Sequence, residues 1–321
     1  LIIHQVIPAV ATGCPVVVKP ATKTPLSCLT LVDLLHQAGL PREWCQAVVC
    51  TNEDAELLVT DPRLSFFSFI GSGRVGWALR SKLAAGANCA LEHGGVAPVI
   101  LEADVNLEEA LPLLVKAGFY HAGQVCVSVQ RVYAHRTIAE GVAQKMAERA
   151  GKLVVGNPSD PKTEIGPLIS HAETDRVASW VEEAVKKGAK LLCGGKKLSA
   201  SCYAPTVLWN PPEDAKVSSD EVFGPVVCVY PYDKPEEAVK RANALPVCFQ
   251  SAVFTRDIDR AFYYVRNLQA TAVMVNDHTA FRVDWMPFGG RMQSGLGMGG
   301  IPRSMEDMTA EKMFVVRHTT V

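Results

Sequence analysis

Short β-branched runs alternate with longer segments of helical period along most of this chain, and that alternation limits the fold more than any other feature. CPVVVK (14–19) suits a buried strand, and TPLSCLTLVDLLHQAGLP (24–41) after it has helical spacing that closes at Gly39 and Pro41. LSFFSFI (64–70) reads as another strand, followed by GSGRVGWALRSKLAA (71–85), where glycines lead into a helix. CALEHGGVAPVIL (89–101) reads as a strand interrupted by a Gly-Gly turn. Three amphipathic helices are expected over 107–123, 137–153 and 171–189, two more over 234–245 and 257–269, and a strand over 271–276. Strands separated by helices of this length argue for parallel α/β sheets. The Gly- and Met-rich stretch 287–302 reads as a loop and KMFVVRHTTV (312–321) as a terminal strand.

Composition narrows the class of function. A chain of 321 residues, 48% hydrophobic and 20% charged, has an ordinary globular make-up and room for one large domain or two. A net charge of −1 gives no electrostatic case for nucleic acid or an anionic membrane surface. The ten cysteines form no C-x-x-C pair and do not cluster with the eight histidines, so no metal site is expected. Scattered thiols in a chain with its own core point to a reducing compartment, the cytoplasm by default. The opening twenty residues are apolar, yet they lack a basic n-region and are broken by His4, Gln5, Pro8 and Pro15. Neither a signal peptide nor a membrane span is expected there, and the pattern reads as starting inside something larger.

GSGRVG matches G-x-G-x-x-G, with Gly71, Gly73 and Gly76 between a strand and a helix. Glycines there let backbone N–H groups approach an anion that the helix dipole favours. Alone the pattern is weak, since a tight turn without ligand has the same spacing. Glu92 lies 21 positions after Gly71 (92 − 71). That spacing suits a ribose ligand, a general base beside Gly94 and Gly95, or a plain surface glutamate, and composition does not choose between these.

Taken in order, the motifs resemble the aldehyde dehydrogenase superfamily over nearly the whole chain. Lys19-Pro20-Ala21 resembles the family's cofactor lysine at a strand end, FIGSGRVG (69–76) its pyrophosphate turn, and LEHGG (91–95) its general-base segment. FYHAGQVC (119–126) resembles the nucleophile segment, EVFGP (221–225) the nicotinamide-ribose motif, and MPFGG (286–290) a turn near the active site. The resemblance implies Cys126 as nucleophile, Glu92 as general base, and NAD or NADP held by Lys19, Ala21, Thr22, Gly71, Ser72, Gly76, Gly94, Glu221 and Phe223. It implies a small-aldehyde substrate and a homo-oligomer. It also implies an α/β fold with a partial Rossmann-like parallel sheet over 1–93, a second α/β catalytic domain over 94–300, and a segment 301–321 carrying an oligomerisation strand.

Such chemistry needs a nucleophile, an oxyanion site, a hydride acceptor and a water-activating base. A thiolate attacks well and leaves well from an acyl group. Within the superfamily, 276–290 and 299–313 resemble dehydrogenases for small, often anionic aldehydes such as lactaldehyde, phosphonoacetaldehyde, sulfolactaldehyde, succinate semialdehyde and glyceraldehyde 3-phosphate. Arg282 stands where an anion-binding arginine is found in such relatives, with His121 and His278 as further substrate-side candidates; Val125, also on the substrate side, stands where some anion-specific relatives have arginine and counts against an anion. The alternative for Arg282 is an ion pair with Asp284 or Asp277.

The sequence departs from the family pattern in three ways. The usual ELGGK reads Glu92-His93-Gly94-Gly95-Val96, so a leucine and a lysine are replaced. Thr22 stands where NAD-preferring relatives often carry a glutamate, which leaves NADP open. An N-terminal part holding the oxyanion asparagine and early strands of the nucleotide fold would precede Leu1. Loss of one oxyanion donor costs about 10²- to 10³-fold in rate. An impaired fragment or a pseudoenzyme is therefore the alternative expectation to an active dehydrogenase. A CoA-acylating relative is disfavoured by the intact Glu92.

Overall fold

Val-, Ile- and Tyr-rich runs assemble the largest sheet of the computed structural model, which describes residues 1–318. Its seven strands lie in the order Ala272–Val275, Gln250–Phe254, Pro98–Leu101, Arg131–His135, Val226–Tyr232, Thr206–Trp209 and Lys190–Cys193. Every neighbouring pair is parallel except the last, which is antiparallel. Both faces are covered, so the central strands are buried at nearly every position, as parallel sheets require. The helices Leu107–Phe119, Arg136–Ala150 and His171–Lys186 supply Leu111, Leu114, Val142, Met146, Val177 and Val181 to that core. Asn106 and Ser170 cap the first and third of these helices by accepting from the N–H groups of Glu108 and Glu173.

The first ninety or so residues hold smaller sheets. Val16–Val18 pairs in parallel with Cys45–Ala47. Phe66–Ile70 pairs in parallel with Asn88–Glu92, and Gly295–Leu296 adds to the latter in antiparallel sense. The helix Leu26–Gln37 and the opening helix Ile2–Ala11 pack around Val6, Cys28, Val32 and Cys45. Among the described residues no helix is long and apolar enough to cross a membrane.

Two expectations need correction. The stretch 287–302 is not all loop: Arg291–Met292 and Gly295–Leu296 are short strands, and the second continues the sheet that ends in Glu92. Residues 301–307 form a helix that packs on Ile2–Ala11. The strand expected at 312–321 is not formed over 312–318, where Met313, Phe314, Val315 and Val316 are exposed; 319–321 lie outside the described residues. A strand is stable only when a neighbour takes up its N–H and C=O groups, and none does so among the described residues of this single chain.

Candidate active site

Glu92 ends its strand and is followed by a loop, 93–97, that crosses from the small sheet to Pro98–Leu101. That loop is clasped by 293–296. His93 donates its backbone N–H to Ser294 O at 2.9 Å, and the Ser294 hydroxyl donates to Gly94 O at 2.7 Å while accepting from Cys248 N–H at 2.9 Å. Ser294 is fully buried. Sequence reasoning missed it because it sits 200 positions from its partner Gly94. Val96, in place of the usual lysine, is buried among apolar neighbours.

The nucleophile segment departs from the helix expected over 107–123. The helix stops at Phe119, and His121, Ala122 and Gly123 take left-handed φ of 50°, 57° and 70°. Left-handed backbone costs a non-glycine residue about 1–2 kcal/mol, so the fold must hold it in place. Gln124 does part of this, donating to His121 O and Pro167 O and accepting from Ile169 N–H. A Cβ on Gly123 would lie 2.1 Å from Gly224 O, so only glycine lets this turn meet the Glu221 segment. The buried Thr279 hydroxyl donates to Val127 O at 2.6 Å and fixes the far side of Cys126.

Gln130 and Arg176 place Glu221. Gln130 donates to Val217 O and Asp220 O and accepts from Val222 N–H, while Arg176 donates to Val222 O. Glu221 then lies so close to Gly94 that a Cβ there would be 1.7 Å from its Oε1. That Oε1 is buried without a hydrogen-bond partner among the described residues. A Cβ on Gly95 would lie 3.9 Å from Cys126 O. Three segments far apart in sequence thus meet around one cleft.

Its electrostatics follow from burial. Desolvation raises Glu92 to about 7, although the Arg282 charge pulls it down. Desolvation raises Glu221 to about 7 as well, opposed by the Gly95 N–H and Arg176. Cys126 is pushed up to about 12, first by burial and then by the two carboxylates, so it rests as a thiol with a half-neutral Glu92 nearby.

Gly71, Ser72 and Gly76 lie in the turn and first turn of the helix Gly73–Arg80, and Gly71 N–H donates to Glu92 O at 3.1 Å. Lys19 follows its strand and donates to Asn52 Oδ1, with Ala21 and Thr22 exposed beside it. Phe223 is exposed with a φ of 44°. Arg282 has no ion pair with Asp277 or Asp284: Asp284 faces His4 at 3.6 Å, and Asp277 accepts from His278 N–H. Arg282 instead stacks on Phe288 at 3.9 Å, with Nη1 buried and unpartnered. Val125 is half-buried next to Cys126. His121 is exposed and packs on Tyr120, and His278 accepts from Ala280 N–H. Among the described residues no cluster of His, Cys, Asp or Glu could hold a metal ion.

The overall fold is shared with known proteins. The family described as "Aldehyde dehydrogenase family" matches residues 1–314. The chain belongs to the aldehyde dehydrogenase family. It is 41% identical over 319 residues to 3-sulfolactaldehyde dehydrogenase from Priestia aryabhattai, covering 98% of this chain and 66% of that protein. Aldehyde dehydrogenase 21 from Physcomitrella patens, solved with the reaction product succinate, superposes with a TM-score of 0.93 at 38% identity, covering 96% of this chain and 64% of that one. Glyceraldehyde-3-phosphate dehydrogenase GapN from Methanocaldococcus jannaschii, solved with NADP, superposes with a TM-score of 0.91 at 36% identity, covering 95% of this chain and 67% of that one. This dehydrogenase-family chain thus spans 66% of the length of its curated sulfolactaldehyde relative.

Proposed function

We propose that this aldehyde dehydrogenase family chain carries the site that oxidises a small, anionic aldehyde to its carboxylic acid with NAD or NADP. The observation that supports this most is the convergence of Cys126, Glu92 and Glu221, with Glu92 raised to about 7, where a carboxylate both takes and returns protons. The residues fit a dinucleotide. The Gly71–Ser72 turn opens the helix Gly73–Arg80, whose N-terminal N–H groups suit a phosphate, and the orphaned Glu221 Oε1 asks for a hydroxyl donor, which a ribose offers. Lys19, Ser72, Gly94 and Phe223 are assigned to the same cofactor by their family resemblance, and exposed Ala21 and Thr22 place no carboxylate against a 2′-phosphate.

The Cys126 sulfur attacks the aldehyde carbon as its proton passes to the aldehyde oxygen, giving a thiohemiacetal. Bound NAD(P) would accept the hydride and the hydroxyl proton would leave to solvent, which makes the thioester. Glu92 then removes a proton from water, which attacks the thioester and frees the acid and the Cys126 thiol.

Arg282 supports an anionic substrate. Its guanidinium is packed on Phe288, keeps Nη1 unpaired, and lies within electrostatic reach of both Glu92 and Cys126. A bidentate contact to a carboxylate, sulfonate or phosphonate would satisfy it. His121 and Val125 border the nucleophile turn. Arg282→Ala is expected to raise KM for an anionic aldehyde by about 10- to 100-fold and to leave that for propanal within about twofold. Equal effects on the two substrates would discard the anion site.

A further inference from the structure

The histidine that replaces the family's leucine beside the base has a place of its own. His93 is only 3% exposed, and its Nδ1 lies 2.9 Å from Gly71 O. A carbonyl only accepts, so Nδ1 carries the hydrogen and Nε2 is the bare nitrogen, buried without a partner. All three glycines of the GSGRVG turn meet this side chain. Gly71 accepts its hydrogen bond, a Cβ on Gly73 would lie 3.7 Å from Cδ2, and a Cβ on Gly76 would lie 2.0 Å from Cε1. Gly76 is therefore required by the imidazole before any ligand arrives. Phe69 and Trp77 close on the ring with centroids 6.0 and 5.9 Å away.

We propose that His93 is a positioning residue that locks the Gly71–Gly76 turn in register with Glu92. The backbone of Gly71 is held from both sides, its N–H by Glu92 O and its C=O by the His93 ring. A leucine could fill the same space but would leave that carbonyl without a side-chain donor. Burial keeps the imidazole neutral, because it lowers the His93 pKa. The role rests on reading the glycine turn as a dinucleotide site, and the test separates the two.

Affinity for NAD, NADP and ADP-ribose is measured by tryptophan fluorescence on the unmodified protein and on His93→Leu, His93→Asn and His93→Gln. His93→Leu is expected to weaken binding about tenfold, more than it lowers kcat at saturating cofactor. His93→Asn, whose amide N–H can reach Gly71 O, restores affinity to within about threefold, and the longer Gln does not. Unchanged binding by His93→Leu, or equal affinities of the Asn and Gln variants, would overturn the role of His93 alone. The Asn–Gln comparison decides the matter if His93→Leu does not fold. Failure of the unmodified protein to bind any of the three probes would remove the dinucleotide reading and this proposal with it.

Discussion

Glu92 shows how one position acquires a chemical character that its residue type does not have. An ordinary glutamate near 4.5 is a poor base at neutral pH, and burial lifts this one to about 7. The sign of the linkage is fixed by that shift. The folded chain holds a proton on Glu92 that the unfolded chain has lost between about 4.5 and about 7, so stability present below that window is lost as pH rises through it. Turnover runs the other way and is expected to rise with pH through about 7 as the carboxylate forms. Glu92→Gln is expected to lose turnover yet to match or exceed the unmodified protein's stability at pH about 8, by at most about 3 kcal/mol. Thermal melts across that range check it, and a variant markedly less stable at alkaline pH would contradict the assignment. The three central residues could be proposed from sequence because each sits in a local motif that resembles the family's: Cys126 after a Gly-Gln pair, Glu92 before two glycines, Glu221 before Phe-Gly-Pro.

Elements carry what the motifs do not show. Ser294, Gln130, Arg176 and Thr279 set the cleft's geometry, and each does so by bonding to backbone far away in sequence. No local pattern marks such residues, since a serine in a Gly-rich stretch looks the same whether it clasps a loop or faces water. The seven-stranded sheet was legible as alternation, but the two short strands within 287–302 were hidden by their glycines and their length. The helix predicted through 123 stops early for a tertiary reason, the docking of Gly123 against Gly224. Ser294→Ala removes two buried hydrogen bonds and leaves the Gly94 carbonyl and Cys248 N–H unpaired. The expected cost is about 2–3 kcal/mol, read as a lower Tm, together with lower turnover through a displaced Glu92. A variant that melts and turns over as the unmodified protein does would show that the clasp is ornamental.

The whole molecule places its chemistry at a junction. One side is a broad, deeply buried sheet whose core runs from Val99 to Met274. The other is a set of small sheets with a core of Val6, Cys28, Val32 and Cys45, to which the chain returns through Gly295–Leu296 and the helix Ile301–Asp307. Glu92 belongs to the small side, Cys126 and Glu221 to the large one, and the 93–97 loop joins them. The candidate site forms where the two sides meet, which is why its residues are dispersed in the sequence. The central claim, that Cys126 forms a thioester which Glu92 resolves, is tested most directly by trapping it. Glu92→Gln protein is incubated with a small aldehyde and NAD(P), then examined by intact mass and peptide mapping. The expected result is an acyl group on Cys126 formed with reduced cofactor in equal amount. No adduct, or an acyl group on another cysteine, would contradict the account.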